Sequence, residues 1–177
     1  MKRTLATLIL STLALAACNA GDDTNGTIAP QPPATPTETD SPHALTDTVE
    51  VKNSLGETLT TISEIELTTQ GCDPVDGATH FKLIATVETN VDSMEILWPS
   101  DISFTDEGGM KINHTDLSQD TYPCETDQPE EFNDMQAGDK RRASVTLVAP
   151  ENPQTMTYSP STLPDARPVT WDMAGEL

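Results

Sequence analysis

Two segments fix the class of fold. In FKLIATVET, residues 81–89, Phe81, Leu83, Ala85 and Val87 recur at every second position, and in ASVTLVA, residues 143–149, Ala143, Val145, Leu147 and Ala149 do the same. A period of two puts alternate side chains on opposite faces of an extended chain, so each segment predicts a strand with one buried face. TVEV (48–51), LTTISEIEL (59–67), MEILW (94–98), DISFT (101–105), MKIN (110–113), QTMTY (154–158) and PVTWDM (168–173) add shorter runs rich in β-branched or apolar residues, with turn residues between them. Pro99 separates MEILW from DISFT, and Gly108-Gly109 predicts a hairpin between DISFT and MKIN. No stretch after residue 45 sustains the apolar spacing of a helix. The reading is all-β: an antiparallel β-sandwich of about eight or nine short strands in one domain, 46–177, long enough to bury a core. Trp98 and Trp171 fall in strand segments and are expected to anchor that core.

The N-terminal part has a different texture. Lys2 and Arg3 precede an apolar run, Leu5 to Leu15, which ends in Leu15-Ala16-Ala17-Cys18. The run is too short to span a membrane, which takes roughly 20 apolar residues, but it has the length of a secretory signal. A plain secretory signal needs no cysteine after its small residues, whereas a lipoprotein signal uses the thiolate as a nucleophile. LAAC resembles the lipobox of bacterial lipoproteins. The resemblance implies a signal peptide over 1–17, lipid on Cys18, cleavage before it, and acylation of the new amino group. Two or three acyl chains, at about 0.8 kcal/mol per buried CH2, hold a protein firmly to the outer leaflet of a cell membrane.

Residues 19–45 hold five prolines, many Thr, Asp and Gly residues, and no apolar periodicity. Such a segment cannot offset its ordering entropy by burial. Residues 18–45 are therefore expected to be a lipidated N-terminus followed by a disordered tether, reaching about 30 Å as a flexible coil. The whole chain carries a net charge of −20; removing 1–17 takes away two of nine basic residues and none of 29 acidic ones, leaving −22. Phosphates of nucleic acid and anionic lipid headgroups would both repel it, so no nucleic-acid partner is expected and attachment has to be covalent.

With Cys18 assigned to lipid, Cys72 and Cys124 remain, an even number in an oxidising compartment, which points to one disulfide. Zinc would need about four ligands at short spacing. His43, His80 and His114 are scattered, with no C-x-x-C or H-x-x-x-H. Cys124 lies in the longest irregular stretch, 114–138, and pairing with Cys72 would tie that loop to the start of the strand at 81–89. Met94, Met110, Met135, Met156 and Met173 offer thioethers suited to Cu(I), but no H-x-M accompanies them, so they are assigned to the core.

Calcium is the best metal candidate. Between 106 and 139 lie ten carboxylates, among which Asp116, Asp120, Asp127, Glu130 and Glu131 are candidate ligands. The EF-hand spacing is absent, and a solvated acidic loop accounts for the same residues. Lys140-Arg141-Arg142 directly enters a strand, where it can pair with the acidic loop or protect a sheet edge. There is no G-x-S-x-G, no Gly-rich phosphate loop and no unassigned cysteine nucleophile. The chain is read as a non-enzyme without cofactor.

DTVEV, FKLIATVETNVD, WPSDISFTDEGG, Cys124 in an acidic loop, MQAGDKRRASVTLVAP and a final YSP and VTW follow one another in an order that resembles a family of extracellular lipoproteins. These carry an immunoglobulin-like domain of unknown function and are related to a secreted actinobacterial antigen. The likeness covers about 46–173. Asn90, Phe104, Asp106, Gly108, Gly138, Leu147 and Pro150 fall at family positions, while Ala137 stands where proline is usual and Leu147 where phenylalanine is frequent. The resemblance implies an immunoglobulin-like sandwich and carries no catalytic residue across. The expected function is a membrane-anchored extracytoplasmic lipoprotein presenting a binding domain to a protein partner in the envelope. The alternatives are a solute or calcium receptor and, third, a structural envelope component. A pocket lined by aromatics would favour a receptor; a bare sheet edge or an apolar patch would favour a binding module.

Overall fold

The computed structural model describes residues 41–117, Cys124 and residues 131–177. In chain order the strands are β1 (Val49–Lys52), β2 (Thr58–Thr68), β3 (Ala78–Thr89), β4 (Ser93–Glu95), β5 (Ile102–Thr105), β6 (Lys111–Asn113), β7 (Asn133–Met135), β8 (Lys140–Pro150), β9 (Thr155–Tyr158) and β10 (Val169–Asp172). A 3-10 turn, Pro99–Asp101, precedes β5, and one helical turn, α1 (His114–Leu117), follows β6. The strands form two four-stranded antiparallel sheets, ordered β1-β2-β3-β8 and β10-β9-β5-β6, and a ribbon of β4 with β7. The fold is the expected immunoglobulin-like β-sandwich.

The alternation read from the sequence is the burial pattern. Phe81, Leu83, Ala85 and Val87 of β3, and Ala143, Val145, Leu147 and Ala149 of β8, line the inner face of the first sheet. Ile102 and Phe104 of β5, Met156 and Tyr158 of β9, and Val169 and Trp171 of β10 join them in one core. Phe81 and Phe104 meet edge to face across the gap, with ring centroids 6.1 Å apart. In β2 the alternation breaks. Glu64 has φ 52° and the β2–β3 register shifts between Ser63 and Glu66, a bulge that brings Ile62 and Ile65 both inward.

Several expectations need correction. MEILW is not one strand over 94–98: β4 ends at Glu95, Leu97 adopts φ 54°, and Pro99 opens the 3-10 turn. The buried Leu97 amide, turned out of any sheet, donates to Tyr158 Oη at 3.1 Å. Trp98 is therefore half-buried beside that turn, while Trp171 is fully buried as expected. Met135, Met156 and Met173 are core residues, but Met94 and Met110 sit exposed, on a ribbon and in a turn. The stretch 114–138 is less irregular than expected, since it contains α1 and β7. At the other end the fold begins before residue 46: His43 N donates to Thr170 O at 2.9 Å and Asp172 N to His43 O at 2.8 Å.

The Gly108-Gly109 hairpin forms as expected. Gly109 takes φ 77°, and Asp106 Oδ1 accepts the Met110 amide at 2.8 Å. Cys72 and Cys124 are joined across 52 residues of sequence. Closing a loop of that size contributes about 4 kcal/mol in the chain-entropy model. The unreduced protein should show no maleimide-reactive thiol at either position, and Cys72→Ser with Cys124→Ser should lower the unfolding free energy by about 2–4 kcal/mol in urea titration. Phe81→Ala, which empties the gap between the sheets, should cost about 3–5 kcal/mol in the same assay.

Candidate functional site

The calcium candidates do not form a described site. Asp116 Oδ2 accepts from Asn113 N at 3.2 Å and from Asn113 Nδ2 at 2.9 Å, which closes the turn into α1. Glu131 Oε2 accepts from Asn133 Nδ2 at 2.7 Å. Asp139 accepts from Gln136 N at 2.9 Å. Asp120, Asp127 and Glu130, like Cys18, lie outside the described residues. Among the described residues no three His, Cys, Asp or Glu side chains converge as a metal cradle would require.

The basic triplet has a clear geometry. Side chains at Lys140 and Arg142 lie on the outer face of the first sheet. Lys140 Nζ is 3.8 Å from Glu88. Arg142 reaches across β3 to the bulge in β2, with Nη2 2.9 Å from Glu66 Oε1 and Nη1 3.1 Å from the Glu64 carbonyl. Thr86 Oγ1 donates to Glu64 Oε2 at 2.6 Å beneath it. The guanidinium thus holds the bulge from above, with all of its partners within its own sheet. Arg141 turns the other way and donates through Nη1 to the carbonyls of Glu131 and Asn133 at 2.9 and 3.0 Å. Among the described residues the ion pairs of this triplet are with Glu88, Glu64 and Glu66 of its own sheet rather than with the acidic stretch, and Arg141 ties β8 to residues 131–133 through backbone oxygens.

Sheet edges, where a binding module was expected to expose itself, are covered at the points the hydrogen bonds define. β8 is outermost in its sheet, and its Val148 amide donates to His114 Nδ1 at 2.9 Å. The helical turn α1 packs on β8, β6, β5 and the 3-10 turn. At β10, outermost in the other sheet, His43 occupies the edge as a one-residue parallel partner of Trp171. On the ribbon, Thr162 Oγ1 donates to the Glu95 carbonyl at 2.6 Å. The sequence reading weighed His114 and His80 only as zinc ligands and gave them no structural role. Both are buried, His80 with Nδ1 2.7 Å from the Asp73 carbonyl. Nothing in the local sequence marks them, because their partners are backbone atoms, of Val148 for His114 and of Asp73 for His80.

The surface carries shallow hollows. One of about 270 Å3 lies beside the ribbon, between Asp92, Ser93, Met94, Asp134, Met135 and Gln136. A second, of about 330 Å3, lies where Leu45 meets Ile65 and Leu67 near Glu176. A third, of about 140 Å3, is lined by polar groups around Asp101, Lys111 and Asn113. None of the three is lined by an aromatic side chain. Among the described residues Leu55 and Met94 are the most exposed large apolar side chains, at 82% and 74%.

No protein-family model matches the chain, and no curated protein matches it. Among solved structures the chain is similar to MPT63, a secreted protein from Mycobacterium tuberculosis, with 12% identity and a TM-score of 0.44, over 76% of this chain and 99% of that one. A likeness at that level carries no argument about ligand or activity, and the description of the fold rests on this chain's own strands.

Proposed function

We propose that this chain is a lipid-anchored extracytoplasmic protein that presents its β-sandwich, on a Pro- and Thr-rich linker, as a binding module without catalytic activity. The observation that carries this reading is LAAC at 15–18, which follows Lys2-Arg3 and a short apolar run and precedes a segment with five prolines. The Cys72–Cys124 bond supports it, since disulfides persist in oxidising compartments. Among the described residues no helix is long and apolar enough to cross a membrane, so in this reading attachment rests on the acyl chains of Cys18. The hollows favour recognition over a surface rather than enclosure of a solute, because apolar ligands need deeper, aromatic-lined pockets.

Cys18→Ser should yield soluble protein or unprocessed precursor in a detergent-partition experiment. A Cys18→Ser chain that still enters detergent, at a mass reduced by residues 1–17, would show the reading to be wrong. Deletion of 19–40 should leave the melting curve of the domain unchanged while impairing its role in the cell; the cut stops before His43 because that residue bonds to β10. The purified protein should turn over no substrate in hydrolase and oxidoreductase panels, and reproducible turnover abolished by a point substitution in 46–177 would refute the non-catalytic part.

A further inference from the structure

Two contacts tie β8 to the segments beside it by different chemistry. Near its start, Arg141 donates from its side chain to the carbonyl oxygens of Glu131 and Asn133, in and just before β7. Near its end, the Val148 amide donates to His114 Nδ1 at 2.9 Å, with His114 only 7% exposed. A guanidinium stays charged throughout the pH range of living cells, but an imidazole does not. An amide N–H bonds only to an unprotonated ring nitrogen. The contact therefore fixes His114 as the neutral tautomer with its hydrogen on Nε2. A further proton has to go to Nδ1, where it would face another donor.

We propose that His114 is an acid-released cap on the β8 edge: protonation at Nδ1 ends the bond from Val148, lifts α1 from the strand and leaves the outward amide of Val148 available to another extended chain. The proton comes from water, and no covalent bond to a heavy atom changes. This goes beyond the anchoring and binding reading and does not rest on it.

The surroundings hold the ring neutral until the solution is acidic. Burial is the largest effect and lowers the His114 pKa below the ordinary histidine value; a positive charge on His80 acts in the same direction. The Val148 backbone contact acts the other way and offsets part of that lowering, although the amide hydrogen is aimed at the Nδ1 lone pair. Among the described residues, other charges on the elements packed against α1 are few. Asp101 of the 3-10 turn accepts the Ser161 amide at 3.0 Å, Lys111 lies on β6, and Asp116 of α1 itself is bonded to Asn113. β5, and β8 from Ala143 onward, carry no ionisable side chain. His80 differs in the sense of its bond. The Asp73 carbonyl can only accept, so His80 Nδ1–H donates to it, and that bond survives protonation at Nε2. The sign follows: the open edge binds a proton that the closed edge lacks. The cap is fully in place above about pH 6.5, the unperturbed histidine value, and weakens as the pH falls below it.

The test is residue-resolved hydrogen exchange on the full-length chain, between about pH 7.5 and about pH 5, expressed as protection factors so that the intrinsic pH dependence of exchange is removed. Once opening is coupled to proton uptake, protection at Val148 should fall by about tenfold per pH unit. The Val145 amide, which belongs to the β3–β8 ladder, should hold its protection over the same range. The His114 ring should titrate with the midpoint of the Val148 change. His114→Gln keeps a carbonyl acceptor that does not titrate, so its Val148 protection should not depend on pH, and His80→Gln should keep the wild-type fall. Protection at Val148 that is flat with pH in the wild-type chain, or a fall that persists in His114→Gln, overturns the proposal. If His114→Gln does not fold, the wild-type comparison of Val148 with Val145 and the ring midpoint decides the matter.

Discussion

Eleven consecutive residue pairs join β3 to β8, from Ala78 opposite Pro150 to Glu88 opposite Lys140. That ladder sets the two faces of the first sheet in a single step. Phe81, Leu83, Ala85 and Val87 look inward with Ala143, Val145, Leu147 and Ala149, while Lys82, Thr86, Ser144 and Arg142 belong to the other face. A slip by one residue would send every one of these side chains to the wrong side, so the register is strongly specified. The second sheet is built of strands of three or four residues and depends on the first for its burial. Its own contribution is aromatic. Phe104 meets Phe81, Trp171 fills the centre, and the Tyr158 hydroxyl, whose ionisation burial pushes far above the ordinary phenol range, accepts the one amide that Leu97 turns away from every strand.

A sheet that is not closed into a barrel leaves backbone groups at its margins, and this chain covers them piece by piece. His43 lies along β10, α1 sits on β8, Arg141 binds the carbonyls next to β7, and a threonine hydroxyl takes the one at Glu95. The covers differ in kind. One is a backbone segment, one a neutral ring, one a permanent cation and one a hydroxyl. Only the ring changes state within the ordinary range of pH.

The long-range parts of the fold were largely legible from the sequence, because a period of two in a half-buried strand is written in the residues themselves. FKLIATVET and ASVTLVA show it, and cysteine parity pointed to the bond that forms between Cys72 and Cys124. What was not legible depended on tertiary context. β7 is Asn-Asp-Met, which no propensity favours, and it exists because Phe132 and Met135 bury their side chains in the core and the Ile96 amide reaches the Phe132 carbonyl. MEILW looked like a strand because its apolar content was high, yet the positive φ of Leu97 cannot be inferred from leucine. Met94 and Met110 were placed inside by residue type, although their positions on a ribbon and in a turn leave them in water. Candidate ligands fared worse for a physical reason: in a chain with 29 carboxylates, proximity in sequence says little, and Asp116 and Glu131 are each occupied by amides within three residues of themselves.

The bond between Cys72 and Cys124 has a consequence of covalent topology as well as of stability. The part of the chain between them includes the exposed turn Asp106–Met110, the kind of site at which a protease cuts first. A single cut there opens the backbone but releases nothing, because the fragments before and after the nick remain one molecule through sulfur. The flanking strands β5 and β6 stay attached to their sheet through β9 and through each other. A domain exposed to extracellular proteases would thereby survive a nick as a two-chain molecule with its core intact. In a reducing environment the same nick would leave the halves held by noncovalent contacts alone, chiefly the β3–β8 ladder and the shared core.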